Sequence, residues 1–200
     1  ILFALAAGYA FSWLWSRRSG LPYSIPAALV LLVSLLFSAF GIQERLLPVG
    51  GTDRIWSLDG ANYLRLYQPD LIGAIEWLRA APEGVVAEAV GGSYQAEYAR
   101  VATHSGKPNV IGWPGHEGQW RGGYTEIGSR EQDIAQLYVS ADWEQTRSII
   151  ERYAIRYIVV GPAEYNKYGE RINQDKFLVR LGLVYDTPQV RIFEVPAGLE

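Results

Sequence analysis

The side chains best suited to chemistry lie together in one glycine-rich segment of the 200-residue sequence, between positions 112 and 123. It contains two tryptophans, a histidine, an acid and an arginine: Trp113, His116, Glu117, Trp120 and Arg121. Indole faces stack on the C–H surfaces of sugars, Arg121 can hold a phosphate or carboxylate, and Glu117 can accept hydrogen bonds from sugar hydroxyls. The glycines permit a ligand to approach the backbone closely. These five residues are the predicted substrate-binding residues, and no catalytic residue is assigned.

A purely structural loop explains the same segment in another way. The tryptophans would then fill the core of the domain or rest on a membrane interface, and His116 and Glu117 would cap neighbouring elements. The sequence leaves both interpretations open.

A metal centre has less support than a binding loop. The candidate ligands are His104, His116, Glu117, Glu88 and Glu97. The segment HEGQW lacks the second histidine of H-E-x-x-H, and the two histidines of the chain cannot form a three-histidine site. The chain has no cysteine, which excludes a zinc-thiolate site and a thiol nucleophile. We predict no metal site and no cofactor in this fragment, although carboxylate oxygens leave a divalent cation open for the full-length protein.

Two further features occur where a strand should pass into a helix. Gly91-Gly92-Ser93 has the position of an anion-binding turn but matches neither G-x-G-x-x-G nor a Walker loop, so a tight turn with a Ser93 cap is the preferred interpretation. Glu88 stands in an apolar strand, and its burial would raise its pKa or require a partner such as Arg100.

Strands and helices alternate from residue 69 onward. Leu71, Ala74, Ile75 and Leu78 repeat with helical spacing after Pro69. Further helices are predicted from Ser93, from Ser129 in a capping box, over Asp142–Tyr153 and over Phe177–Leu181. Strands are predicted over Val85–Val90, Asn109–Ile111 and Tyr157–Val160, and in a hairpin of Leu183–Tyr185 with Val190–Val195. The predicted fold class is a three-layer α/β domain with a mainly parallel sheet and one antiparallel edge.

Two apolar runs precede this domain. Pro22–Ile42 contains no charge and is long enough to span a bilayer as a helix, and Ile1–Trp15 is a second charge-free run. The sequence thus predicts two transmembrane helices in residues 1–50 and an extracytoplasmic soluble domain in residues 51–200. The chain starts at isoleucine, so we expect it to be the tail of a longer multi-pass protein of the cell membrane. Arg17 and Arg18 lie between the runs and place that turn in the cytoplasm by the positive-inside bias.

The charge of the chain argues against nucleic acid as a partner. The full sequence has 18 basic and 21 acidic residues. Residues 1–50 contain three arginines and one glutamate, so residues 51–200 contain 15 basic and 20 acidic residues, a net charge of −5. An acidic domain repels the phosphate backbone, so no nucleic acid is expected to bind.

Several blocks together resemble the carboxy-terminal region of the YYY-domain proteins, a family of multispanning membrane proteins. They include LDG with YL at 58–64, AIEWL at 74–78, EAVGGSY at 88–94, GWPGHE with QWR at 112–121, and RYIVVGP at 156–162. Members of this family look like GT-C glycosyltransferases, membrane enzymes that transfer a sugar from a lipid-phosphate donor on the outer face.

The resemblance implies that the outward domain assists recognition of an acceptor or of a lipid-phosphate sugar. In GT-C enzymes the catalytic carboxylate usually lies in the first outer loop, near the amino terminus, so catalysis is expected in the missing part and this fragment alone is expected to be inactive. The implied partners are membrane lipids, a polyprenyl-phosphate sugar, and a glycan or protein acceptor. The alternatives are a non-catalytic membrane-anchored ectodomain that binds a glycan or partner protein and, with less support, a membrane-tethered metal hydrolase.

Overall fold

The computed structural model describes residues 2–17, 21–46 and 58–199, and the chain divides into two compact units, Ile1–Trp56 and Ser57–Glu200. Arg18, on which part of the predicted orientation depends, lies outside the described residues.

Two helices form the described part of the first unit, α1 over Leu2–Trp15 and α2 over Leu21–Leu46. Within α2, Ile25–Gln43 has 19 residues and a mean hydropathy of 2.4, so by length and composition it can cross a membrane. The 14 residues of α1 span about 21 Å, less than the roughly 30 Å of a hydrocarbon core. The prediction of two spanning helices is therefore wrong for the described residues, in which one helix qualifies.

The second unit contains helices and strands in alternation. Its helices are α3 (Asn62–Tyr67), α4 (Pro69–Ala80), α5 (Arg100–Ser105), α6 (Pro114–Trp120), α7 (Arg130–Val139), α8 (Trp143–Arg152), α9 (Pro162–Tyr168) and α10 (Asp175–Arg180). Its strands are β1 (Val85–Ala87), β2 (Ile155–Val160), β3 (Gly182–Asp186) and β4 (Arg191–Glu194).

The four strands form one mixed sheet with the order β1-β2-β4-β3. β1 pairs with β2 in parallel, whereas β4 pairs antiparallel with both β2 and β3. The mainly parallel sheet that the sequence predicted is therefore wrong, although the α/β class and the β3–β4 hairpin are confirmed. Asn109–Ile111 contributes an isolated parallel bridge from Asn109 to Val86 rather than a strand.

Helices cover both faces of the sheet, which gives the three layers that the sequence predicted. On one face, Tyr157 and Val159 of β2 pack with buried residues of α4, among them Ile75 and Leu78. On the other face, Ile158 and Val160 join a core that includes residues of α7, α8 and α10. The alternation of adjacent side chains between faces explains why β2 reads as a continuous apolar run.

The local signals succeeded where apolar spacing was strong. α4 buries Leu71, Ile75 and Leu78, and α8 is capped by Asp142, whose carboxylate accepts the backbone N–H of Glu144 at 2.9 Å. The capping box at Ser129 is wrong, because the Ser129 hydroxyl instead bonds to the Asp133 carboxylate at 2.8 Å. The helix predicted from Ser93 begins only at Arg100.

Candidate functional site

The predicted binding segment contains a helix that its sequence did not indicate. α6 begins at Pro114, whose fixed φ suits the first helical position, and Trp113 precedes it with extended backbone. The helix places His116 and Trp120 four residues apart, on the same face. α6 therefore determines which of the predicted binding side chains point the same way.

Four rings meet at this helix, and we call Tyr94, Trp113, His116 and Trp120 the aromatic cluster. The His116 ring is central. Its centroid lies 4.7 Å from that of Tyr94, 5.2 Å from that of Trp113 and 5.5 Å from that of Trp120. Tyr94 and Trp120 both meet the imidazole edge to face, at 78° and 74°. The structure thus brings together three of the five predicted residues and adds Tyr94, which falls within the helix that the sequence predicted from Ser93.

The aromatic cluster has two exposed rings and two rings that are partly buried. Tyr94 is 81% exposed and Trp120 is 78% exposed. Trp113 and His116 lie deeper, and the Trp113 Nε1 and His116 Nδ1 atoms are buried without a hydrogen-bond partner among the described residues. Buried polar atoms in folded proteins are normally paired, so these two nitrogens are unusual.

Glycines allow neighbouring segments to lie close against α6. A Cβ atom at Gly115 would lie 2.8 Å from the Ser93 hydroxyl oxygen, and one at Gly118 would lie 2.8 Å from the Tyr124 ring. The turn that carries Tyr94 and the chain after α6 therefore both depend on the absence of side chains at these positions.

The backbone of Tyr94 has a left-handed conformation, with φ of +66°. Non-glycine residues adopt this region at a cost of about 1–2 kcal/mol. Tyr94 lies in the turn between Gly92 and Ala99, so its ring is presented to solvent by a strained turn rather than by a helix.

Glu117 and Arg121 bind to the protein itself. Glu117 Oε1 accepts the backbone N–H of Gly112 at 2.6 Å, and its Oε2 lies 3.4 Å from Arg121 Nε. Arg121 also donates from Nη1 to Glu126 at 2.9 Å. The hydrogen bond to Glu126 and the charge of Glu117 raise the pKa of Arg121. Two carboxylates thus surround the one arginine that was expected to hold an anion.

A second group of titratable side chains lies at the carboxyl ends of the parallel strands, where α/β sheets commonly bind ligands. Glu88 follows β1, and Glu164 lies in the first turn of α9, after β2. Both are buried, and they line a cavity of about 50 Å³ together with Glu97 and Arg100. Glu164 carried no sequence signal, because it stands in a polar segment.

Backbone donors occupy both buried carboxylates. Glu88 accepts the N–H groups of Val101 and Ala102, each at 3.0 Å, and so caps α5. Glu164 accepts the N–H groups of Ala89 at 2.6 Å and Gly161 at 2.8 Å, and so joins the end of β1 to the end of β2. These contacts give both acids a structural role. Glu97 lines the same cavity, but among residues 2–17, 21–46 and 58–199 no group of three or more His, Asp or Glu side chains is placed to hold a metal ion.

Burial makes the stability of this unit depend on pH. It raises the pKa of Glu88, and burial together with the nearby Glu88 raises the pKa of Glu164 to about 7 from an ordinary 4.5. Between pH 4.5 and 7 the folded state binds more protons than the unfolded state. The contribution of Glu164 to the free energy of unfolding is therefore fully present below pH 4.5 and is lost as the pH rises towards 7. We expect the melting temperature of the wild type to exceed that of Glu164→Gln most at low pH, with the difference shrinking over this range. A difference that grows with pH would contradict the assignment.

No protein-family model and no curated protein matches the chain, so the resemblance to YYY-domain proteins stays a prediction. Among solved structures, the chain is similar to the C-terminal globular domain of an oligosaccharyltransferase from Archaeoglobus fulgidus. That match has a TM-score of 0.41 and 14% identity, and it covers 64% of this chain and 97% of that chain.

Proposed function

We propose that the chain is the carboxy-terminal part of a polytopic, GT-C-like membrane glycosyltransferase. In this proposal α2 spans the membrane, and the unit from residue 58 to 199 faces outward and helps to recognise the acceptor or the lipid-phosphate sugar donor. Catalysis belongs to the part of the protein upstream of this chain. The membrane lipids, a polyprenyl-phosphate sugar and a glycan or protein acceptor are the proposed partners, and a divalent cation would be held by the upstream part.

The aromatic cluster is the observation that carries this proposal. Tyr94 and Trp120 expose most of their surface, yet both are fixed by contact with the His116 ring. Exposed aromatic rings in a fixed arrangement are suited to stacking on sugars, whereas the packing of a protein core does not require exposed rings. The apolar stretch Ile25–Gln43 supports a membrane location by its length and composition.

The buried acids support a positioning role rather than a catalytic one. The carboxylate oxygens of Glu88 and Glu164 accept hydrogen bonds from backbone N–H groups. Glu117 accepts the N–H of Gly112 and forms an ion pair with Arg121. A general base needs an oxygen that can reach the substrate proton. The described carboxylates of the site therefore fit a scaffold that holds substrate for chemistry performed elsewhere.

Trp120→Ala tests this proposal in the full-length protein with a polyprenyl-phosphate sugar donor. We expect sugar transfer to fall by about fivefold to 160-fold, because a lost positioning contact costs about 1–3 kcal/mol of transition-state stabilisation. The melting temperature should stay unchanged, because the Trp120 side chain is 78% exposed.

Tyr67→Ala is the matched control, since Tyr67 is an exposed aromatic residue on α3 and lies outside the aromatic cluster. Its transfer rate should equal that of the wild type. Full activity in Trp120→Ala would overturn the proposed role of the cluster, and transfer by the fragment alone would overturn the assignment of catalysis to the upstream part.

A further inference from the structure

We infer that the aromatic cluster binds an uncharged pyranose ring of the acceptor glycan, with Tyr94 and Trp120 as its two stacking faces, and that it does not bind the phosphate of the donor. This inference rests on the proposed function, because it assigns one of the two substrates named there to this surface.

The arrangement of the rings supports two stacking faces. Tyr94 and Trp120 each meet the central His116 ring edge to face, and each keeps about four fifths of its surface in solvent, at 81% and 78%. Trp113 also contacts the imidazole, with ring centroids 5.2 Å apart. The two exposed rings are thus held by their contacts to His116 and remain open to a ligand.

The backbone strain at Tyr94 indicates that the ring is kept for something other than folding. A glycine would adopt φ of +66° without strain, whereas a tyrosine there costs about 1–2 kcal/mol. The ring recovers little of this cost by burial, because it is 81% exposed. An exposed aromatic residue in a strained turn, in contact with the same His116 ring as a second exposed aromatic residue, is explained by a ligand that contacts both.

The local charge favours a neutral ligand. Arg121 is the only lysine or arginine between positions 112 and 123. It lies 3.4 Å from Glu117 and 2.9 Å from Glu126, so two negative charges outweigh its single positive charge. A phosphate or an anionic lipid surface would be repelled by this pair of carboxylates. A sugar ring carries no charge and escapes the repulsion.

Binding to the full chain in phosphatidylcholine nanodiscs tests the inference. The probes are three neutral tetrasaccharides (cellotetraose, mannotetraose and tetra-N-acetylchitotetraose), inorganic phosphate, and phosphatidylglycerol vesicles, each titrated by calorimetry. We expect at least one tetrasaccharide to bind, and its affinity to fall by about tenfold or more in Tyr94→Gly and in Trp120→Ala. Tyr94→Gly should melt no earlier than the wild type, because glycine relieves the backbone strain.

Ala99→Gly is the matched control for the backbone, since Ala99 has a similar left-handed φ of +57° and carries no ring. It should bind the tetrasaccharide as the wild type does. The inference is overturned if no tetrasaccharide binds, if Tyr94→Gly keeps full affinity, or if phosphate or the vesicles bind through Tyr94 and Trp120 instead. Tetrasaccharide binding without any effect of Trp120→Ala on transfer refutes the proposed function alone, whereas an effect on transfer without tetrasaccharide binding refutes this inference alone.

Discussion

Replacing Glu164 with alanine is expected to lower the free energy of unfolding by about 3–5 kcal/mol, a severe loss for a single substitution. The carboxylate is the acceptor for the N–H groups of Ala89 and Gly161, and the side chain is 2% exposed. Alanine leaves both donors buried without a partner and opens a void beside the existing cavity of about 50 Å³. Thermal melting of the purified chain measures the effect.

Glu170→Ala is the control for this prediction, because Glu170 is an exposed acid six positions further along the chain. Its melting temperature should match that of the wild type. Glu164→Gln should fall between the two, since the amide oxygen accepts one N–H while the amide nitrogen cannot accept the other. Equal stability of Glu164→Ala and the wild type would show that the link between the ends of β1 and β2 is dispensable.

Gly91→Ala is expected to destabilise the protein by about 3 kcal/mol through overpacking. A Cβ atom at this position would fall within the ring of Tyr98, so the ring must move. Tyr98 lies in the same turn segment as Tyr94, and its amide donates to the carbonyl of Gln95 at 3.1 Å. The substitution should therefore also weaken tetrasaccharide binding, although Gly91 does not belong to the aromatic cluster.

Gly92→Ala provides a neighbouring control. Its Cβ would meet the end of the flexible Gln95 side chain at 3.2 Å, which can shift at little cost. The double substitution Gly91→Ala with Tyr98→Ala removes the overlap and should recover part of the stability relative to Gly91→Ala alone. Should the double variant melt no later than Gly91→Ala, steric overlap with the ring is not the cause.

The sequence predicted helices and strands well where the spacing of apolar residues was regular. It predicted them poorly where tertiary contacts determine the local structure. α4 and α8 follow the helical repeat of their buried residues. α6 shows no such repeat, and Gly115 and Gly118 weaken its local helical preference. Its stability depends instead on close contacts with Ser93 and Tyr124. The pairing of β4 with β2 was also beyond the sequence, since an apolar run gives no information on which second neighbour a strand joins.

The candidate site was predicted in composition but not in geometry. Residue types and spacing were enough to select Trp113, His116 and Trp120. They could not show that Arg121 is paired with two carboxylates, because Glu126 lies outside the glycine-rich segment. The sequence predicted Tyr94 within a helix from Ser93, which is wrong, because its exposure depends on a left-handed backbone angle that tyrosine seldom adopts and that no local pattern indicates.

The position of β4 inside the sheet has a consequence for synthesis on the ribosome. β4 is the last strand along the described chain, yet it lies between β2 and β3, and its Phe193 and Ile192 contribute to the cores on opposite faces. β1 and β2 can pair earlier, but β2 keeps an open edge until Arg191–Glu194 has left the exit tunnel. An unpaired strand edge invites association with other chains, so a pause in translation before residue 191 would expose this protein to aggregation at its most vulnerable stage.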